Sequence, residues 1–532
     1  MRRHVVHHGW EFMVLIILGV IVISLSSISL QTMTINVITQ SPFFLYRNTI
    51  YIASLIATLI TVMLMRSRRY VLIPLITLWV LILLMPYMIY LNSLPIYNDQ
   101  LGFVSEALSG VLYGHVKPIQ GEPSSLGHAY LTSALTIVTG IKPIIQGAVI
   151  VQSILPFAYA IPLLALPYRD TREMTLVILI TLGAILNPIL YGRTPFAWVF
   201  LILFTVLLYN ELNRHRGSHV LRISTIIALL VIYVAYAISD PTSLVIPIML
   251  IVLSIFIKEL RTLTLSTIAL WLAIHLVIYI SGSMSSLIAQ LLAMIKAPTN
   301  PVPSLAIPSV NPVMKLYDYA REFTVGITYL IGLLASLLIL RRGGFTANSD
   351  LPWVILFMLF VVMQATALVM SRWGMVPYSM FVISVLPILT LKTVRHSKSP
   401  QALFLTLAAI LIVMSPAVKW GFSAIAFPTI NDLHEASFIT SHIGDTEICA
   451  SGSHELLWFY FWLNNINTPI NYLNPTFTPN QAATCDATAI FYRSLNTYRL
   501  DITIEYLNNE INAMNAVFNV VYKDGLWTVW SR

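Results

Sequence analysis

Long apolar stretches recur along most of the chain, separated by short polar intervals that hold much of its charge. A helix needs about 20 consecutive apolar residues to cross a bilayer. By that measure the pattern predicts about thirteen spans, near 10–30, 49–65, 70–91, 144–167, 174–191, 196–210, 223–239, 244–257, 263–281, 325–340, 352–370, 375–391 and 402–418. The runs do not alternate polar and apolar residues as barrel strands do, so the expected fold class is a polytopic α-helical membrane protein.

Three intervals break the pattern. The first, Leu91–Tyr130, follows the third run and carries Asp99, Glu106, Glu122, His115 and His128. Within it, Gly102–Gly114 sets Phe103, Ala107, Leu108, Val111 and Leu112 on one side at helical spacing, with Ser105, Glu106 and Ser109 opposite. That spacing predicts an amphipathic helix lying in the membrane interface. A second such helix is expected over Ser124–Ile141, stopped by Lys142-Pro143. The second interval, 281–324, is Pro-rich over Ala297–Pro312 and ends in Lys315, Tyr317, Asp318, Tyr319, Arg321 and Glu322. The third begins near Lys419, where polar residues return and strand-like runs (Ala487–Tyr492, Val517–Tyr522) alternate with a helix-like one at Asp501–Asn515. It reads as a small α/β domain over 419–532, closed by a hairpin turning at Lys523-Asp524-Gly525. Residues 1–418 then form the membrane domain, with outward loops 92–143 and 281–324.

Composition agrees with this division. Hydrophobic residues make up 57% of the chain and charged residues 10%, far from the soluble-protein average of about 25% charged. The net charge of +8 does not indicate nucleic-acid binding, because the cations are spread over short inter-span loops. With the amino terminus inside, the inner loops hold Arg2 and Arg3; Arg66, Arg68 and Arg69; Arg169 and Arg172; Arg214, Arg216 and Arg222; Lys258 and Arg261; Arg341 and Arg342; and Lys392, Arg395 and Lys398. Most outer connectors hold single cations, so the positive-inside rule places Leu91–Tyr130 and the carboxyl-terminal domain outside a plasma membrane. The first run exceeds a signal peptide's apolar core and has no clear small-x-small cleavage site, so it is expected to be retained. Cys449 and Cys485, both in the outward domain, are either an oxidised pair or two buried thiols.

The sequence carries no Walker loop, dinucleotide fingerprint, nucleophile elbow or zinc-ligand pair at helical spacing. His4, His7 and His8 belong to a solvated tail. What remains gathers on the outer face. Asp99 follows the third span closely, and Arg193 and Arg372 each sit alone in a short outward turn. A guanidinium there suits the phosphate of a lipid headgroup, which it grips in bidentate fashion; the plainer alternatives are interfacial anchors and a surface carboxylate.

The Asp-bearing segment after an early span, the amphipathic helix and the run GEPSSLGHAYLTSALTIVTGIKP at Gly121–Pro143 together resemble membrane glycosyltransferases of the GT-C class. That class includes protein O-mannosyltransferases, aminoarabinose transferases of lipid A and related archaeal and bacterial enzymes. The resemblance covers most of the chain as architecture and about forty residues as motif. It implies a catalytic acid in the first outward loop, which falls on Asp99. Many members carry two adjacent acids; here the pair is Asp99-Gln100, which leaves Glu106 and Glu122 as rivals. The WWDYG-type signature of oligosaccharyltransferases is absent.

The resemblance further implies transfer of a sugar from a polyprenyl- or dolichyl-phosphate donor to a hydroxyl of a protein, glycan or lipid acceptor, with inversion. Arg193, Arg372, His128, Lys315 and Arg321 are the candidates for holding the donor. No cofactor is expected, and the lone Asp99 gives no support to a divalent metal site. The rival reading is a multispan transporter or lipid flippase, which would show paired half-helices or a repeat with polar midplane residues. No such repeat is visible in the sequence.

Overall fold

The structure, a computed structural model, describes residues 2–31, 44–65, 70–84, 98–116, 127–141, 158–186, 193–214, 221–280, 312–343, 350–369, 376–396, 399–420, 437–442, 447–451, 470–472, 479–482, 484–491, 512, 514–515, 519–524 and 527–531. Helices dominate. In chain order they are α1 (Arg2–Gln31), α2 (Thr49–Leu64), α3 (Leu72–Trp79, continued by a π turn to Leu84), α4 (Asn98–Tyr113), α5 (Gly127–Thr139), α6 (Thr171–Leu186) and α7 (Arg193–Arg214). There follow α8 (Ile223–Ser239), α9 (Val245–Phe256), α10 (Arg261–Ile280), α11 (Pro312–Gly343), α12 (Leu351–Val369), α13 (Val376–His396) and α14 (Ser399–Trp420).

Among the described residues, Glu11–Leu30, Phe196–Arg214, Tyr319–Arg342 and Pro400–Val418 are helical, long enough and apolar enough to cross a membrane. Shorter apolar helices cover Thr49–Leu64, Leu72–Ile82, Ile223–Ser239, Thr242–Phe256 and Leu351–Met363. The chain is a helical protein built to associate with membranes.

The bundle is organised around α13, which touches α6, α7, α11, α12 and α14. Every residue of α13 from Phe381 to Val394 is buried, so the helix is enclosed on all sides. Its neighbour α6 is almost as enclosed, buried from Glu173 to Ile185. Close approach is achieved with glycine. A Cβ built on Gly183 of α6 would stand 2.7 Å from Leu411 Cβ on α14, and one on Gly332 of α11 would stand 2.2 Å from the Phe357 ring on α12. Pro387 lies inside α13, where tightly packed neighbours tolerate the lost backbone bond.

Two expected boundaries move. Helix α11 begins at Pro312, a residue suited to a first helical turn, so Lys315 and Arg321 lie on the helix itself and not in a loop running to 324. Lys392, expected in a basic loop, belongs to α13, which runs on to His396. The part of the expected fourth span that is described ends in a 3-10 turn at Ile161–Ala165.

Near the carboxyl end lies a five-stranded sheet of β1 (Ile448–Ser451), β2 (Ile470–Tyr472), β3 (Ala487–Phe491), β4 (Asn519–Asp524) and β5 (Trp527–Ser531), in the order β2-β1-β3-β5-β4. Strand β1 pairs parallel with β2 and β3, whereas β5 runs antiparallel to β3 and β4. The β4–β5 pairing sets Asp524 opposite Trp527, with an irregularity between Val520 and Tyr522. A disulfide joins Cys449 on β1 to Cys485 just before β3.

Candidate functional site

The first polar interval folds into the helix pair α4–α5, and each helix stops at a glycine with positive φ: Gly114 at 71° and Gly140 at 72°. Glycine adopts this left-handed conformation without the penalty a Cβ would bring, which is the usual way to end a helix. Small side chains bring the two helices together. A Cβ on Gly110 would meet Ser133 Oγ at 2.4 Å, and that hydroxyl lies 2.6 Å from Ala107 O across the interface and 2.7 Å from Ala129 O on its own helix. Ala107, Val116 and Ala129 form a small apolar cluster separate from the main core.

Inside this interface sits an acid–imidazole pair. Glu106 Oε2 on α4 lies 3.3 Å from His128 Nε2 on α5, with the two side chains 5% and 1% exposed. Ser109 Oγ donates to Glu106 O at 2.7 Å, and Thr132 Oγ1 donates to His128 O at 2.8 Å. The wheel read from the sequence is therefore corrected. Glu106 and Ser109 are buried together with Ala107 and Leu108 while Leu112 and Tyr113 are exposed, so part of the polar side of α4 joins part of its apolar side in the interface. The reason is local. The Glu106 carboxylate can be buried because α5 brings His128 to the matching height, and the Ser109 hydroxyl because the Glu106 carbonyl of its own helix accepts from it.

Helix α5 contacts α7 and α8. A Cβ on Gly127 would lie 2.4 Å from Ser239 Oγ, so the start of α5 is seated on the last turn of α8. The next residue, Asp240, is 1% exposed. Its Oδ1 accepts from Thr242 N at 2.8 Å and caps the 3-10 turn Pro241–Leu244. Tyr236 OH and Thr242 Oγ1 are 3.1 Å apart, and Tyr236 is within electrostatic reach of Asp240, Tyr159 and Tyr233. His275 on α10 stacks on Trp271 with ring centroids 4.4 Å apart and also lies within reach of Asp240. This end of the bundle thus buries two carboxylates and two imidazoles among tyrosines. Groups of these kinds can accept, hold and donate protons.

No protein-family model and no curated protein matches the chain.

Asp99 is the second residue of α4, and its side chain is outside the described set. Positions 99 and 106 are two helical turns apart, so they share one face about 10 Å apart along the axis. Glu122 and Arg372 lie outside the described residues. Arg193 is the first residue of α7, which contacts α5; Lys315 lies in the first turns of α11; the side chains of both are outside the described set. Arg321 is half-buried on α11, where its carbonyl accepts from Thr324 Oγ1 at 2.9 Å. Of the sequence candidates, the structure brings Glu106 and His128 together. The Cys449–Cys485 bridge stands apart in the sheet. Among the described residues no group of three His, Cys, Asp or Glu side chains is placed to hold a metal ion.

The sequence reading passed over a second buried pair. Lys392 Nζ on α13 meets Asp350 Oδ1 just before α12, and the ammonium stands 5.3 Å from the Tyr209 ring centroid. A lone acid immediately before Leu351-Pro352 is a helix-start signal, which was the available clue to Asp350.

Proposed function

We propose that this chain is a membrane glycosyltransferase of GT-C type that moves a sugar from a polyprenyl-phosphate donor to an acceptor hydroxyl. In this reading about thirteen spans carry the site to the outer face, and the sheet region forms an extracytoplasmic domain. The observation that carries the reading is the buried Glu106–His128 pair, which makes the first polar interval an ordered helix pair on the end of the bundle. A chain that only needed a linker between spans would have no use for a buried ionisable pair there.

The roles follow from chemistry. Asp99, on the same helix face as Glu106 but at the helix start, takes the proton from the acceptor hydroxyl as general base. The hydroxyl oxygen bonds to the anomeric carbon from the side opposite the lipid phosphate, the carbon–oxygen bond to that phosphate breaks, and the configuration inverts. Arg193 and Arg372 stabilise the departing phosphate, a good leaving group that needs no general acid. Glu106, enclosed with His128, serves to hold α4 in place, which leaves Asp99 as the base.

The deciding assay is sugar transfer by the purified full chain in liposomes supplied with polyprenyl-phosphate-linked sugar and a hydroxyl acceptor. Asp99→Asn is expected to fold normally and to lose at least about a hundredfold in rate. Undiminished transfer by that variant removes Asp99 from the base role. Movement of intact donor across the bilayer without any transfer supports the flippase instead.

A further inference from the structure

At the end of the bundle away from Asp240, three arginines from three elements meet around the last turn of α13. Helix α8 runs from Ile223 to Ser239, which at 1.5 Å per residue separates the two ends by about 25 Å. Arg342, in the last turn of α11, donates through Nη1 to Thr393 O at 3.2 Å. Arg169, just before α6, donates through Nη1 to Arg395 O at 2.7 Å. Arg395 in turn donates through Nη2 to Pro167 O. The first two bonds satisfy orphan carbonyls at the end of α13, where cations are favoured.

Each of these bonds uses one or two of the five N–H donors of a guanidinium. Among the described residues no carboxylate stands at ion-pair distance from any of the three groups. Of the nearby acids, Asp350 pairs with Lys392, while the carboxylates of Asp170 and Glu173 turn to the Glu173 and Arg169 backbone amides and not to a guanidinium. Arg395 Nε is buried without a hydrogen-bond partner. Arg169 and Arg342 are exposed and Arg395 half-exposed, so the terminal nitrogens of these groups, though not the buried Arg395 Nε, can be reached from outside the bundle. Three guanidinium groups without an ion-pair partner among the described residues, at the ends of apolar helices, suit an anion with several acceptor oxygens.

We propose that Arg169, Arg342 and Arg395 bind the phosphate of an anionic phospholipid headgroup. A phosphate matches the fork geometry of guanidinium groups, and basic pockets between membrane helices bind acidic lipids on the positive side of the protein. The site is independent of the glycosyltransferase reading, because it lies at the other end of the bundle from Asp99.

The test is native mass spectrometry of the full chain released from nanodiscs containing equal amounts of phosphatidylglycerol and phosphatidylcholine. Wild type is expected to retain phosphatidylglycerol in preference. Retention should fall by at least about tenfold in the combined variant Arg169→Gln, Arg342→Gln, Arg395→Gln, and by less in the matching triple Lys variant, which keeps the charge but loses the fork geometry. Equal retention of both lipids by wild type overturns the proposal, as does full retention by the Gln variant. Binding of inorganic pyrophosphate to wild type that displaces the lipid, with no lipid preference of its own, assigns the site to a soluble anion and also overturns it. Because the arginines cap a helix, the Gln variant risks misfolding. Wild-type retention measured from low to high salt covers that case: a preference indifferent to salt refutes a phosphate–guanidinium contact.

Discussion

The Lys392–Asp350 pair offers a measurable test of how the bundle is held together. The two side chains are 7% and 11% exposed, so neither charge is well solvated. Asp350 has two jobs. Its carbonyl accepts from Trp353 N and Val354 N and opens α12, while its carboxylate faces Lys392. The ammonium also lies 5.3 Å above Tyr209, whose ring is met edge-on by Trp353 with centroids 5.7 Å apart. Lys392→Met removes the cation and leaves a buried carboxylate, at a cost of about 3–5 kcal/mol. Asp350→Asn keeps a helix-start side chain and an acceptor, but strands the buried ammonium without its counter-charge, at a cost of about 3 kcal/mol. The double variant joins a neutral amide to an apolar side chain and is expected to be no worse than Lys392→Met, because the stranded charge is gone. The coupling should therefore be at least about 1 kcal/mol. Reversible unfolding of the full chain in bicelles, followed by tryptophan fluorescence, reads all four proteins. Strictly additive losses, or a loss below about 1 kcal/mol in Lys392→Met, would show that the charges are compensated by other means and refute the reasoning.

The remaining predictions use the same measurement or a close relative. His128→Phe strands the Glu106 carboxylate between α4 and α5 and should cost about 3 kcal/mol, most of it recovered when Glu106→Leu is added; a double variant no better than the single contradicts the pairing. Gly332→Ala drives a methyl into the Phe357 ring and should lower stability by about 1–3 kcal/mol, so a neutral result would mean that α11 and α12 are not in close contact. Reducing or replacing the Cys449–Cys485 bridge, which spans 36 residues, should cost about 4 kcal/mol in unfolding of the sheet region on chain-entropy grounds, visible as faster proteolysis there.

The helices were legible because an apolar stretch has few other ways to satisfy its backbone in lipid. Their arrangement was not, since lipid is as apolar as a protein interior and hydropathy does not tell one from the other. Glu11–Leu30 is the most apolar of the four long candidates, yet 22% of it is buried, against 56% of the least apolar, Phe196–Arg214. Helix α13 looked like any other span and proved to be the enclosed one. In the candidate site, Asp99, Glu106 and His128 stood out as rare ionisable residues beside a membrane, a compositional signal. That Glu106 faces inward depends on a histidine 22 positions later arriving at the right height, which the periodicity of one helix cannot encode. Lys392 was misread for a related reason: charge bias treats every lysine near a span end as solvated, and this one is shielded by Asp350 and Tyr209.

The enclosed position of α13 has a consequence for the order in which the molecule is made. The ribosome has made α1 to α12 before residues 376–396 exist, so α6, buried against α13 and α14, must wait through the synthesis of about 190 residues for the first of those partners and about 210 for the second. During that interval its eventual contact surface faces lipid or a helper protein, and the Glu173–Ile185 stretch can endure this because little of it is charged. The packing of α6 is thus completed only once α13 and α14 have been made. A chain truncated between α12 and α13 would leave the enclosed face of α6 without its partners.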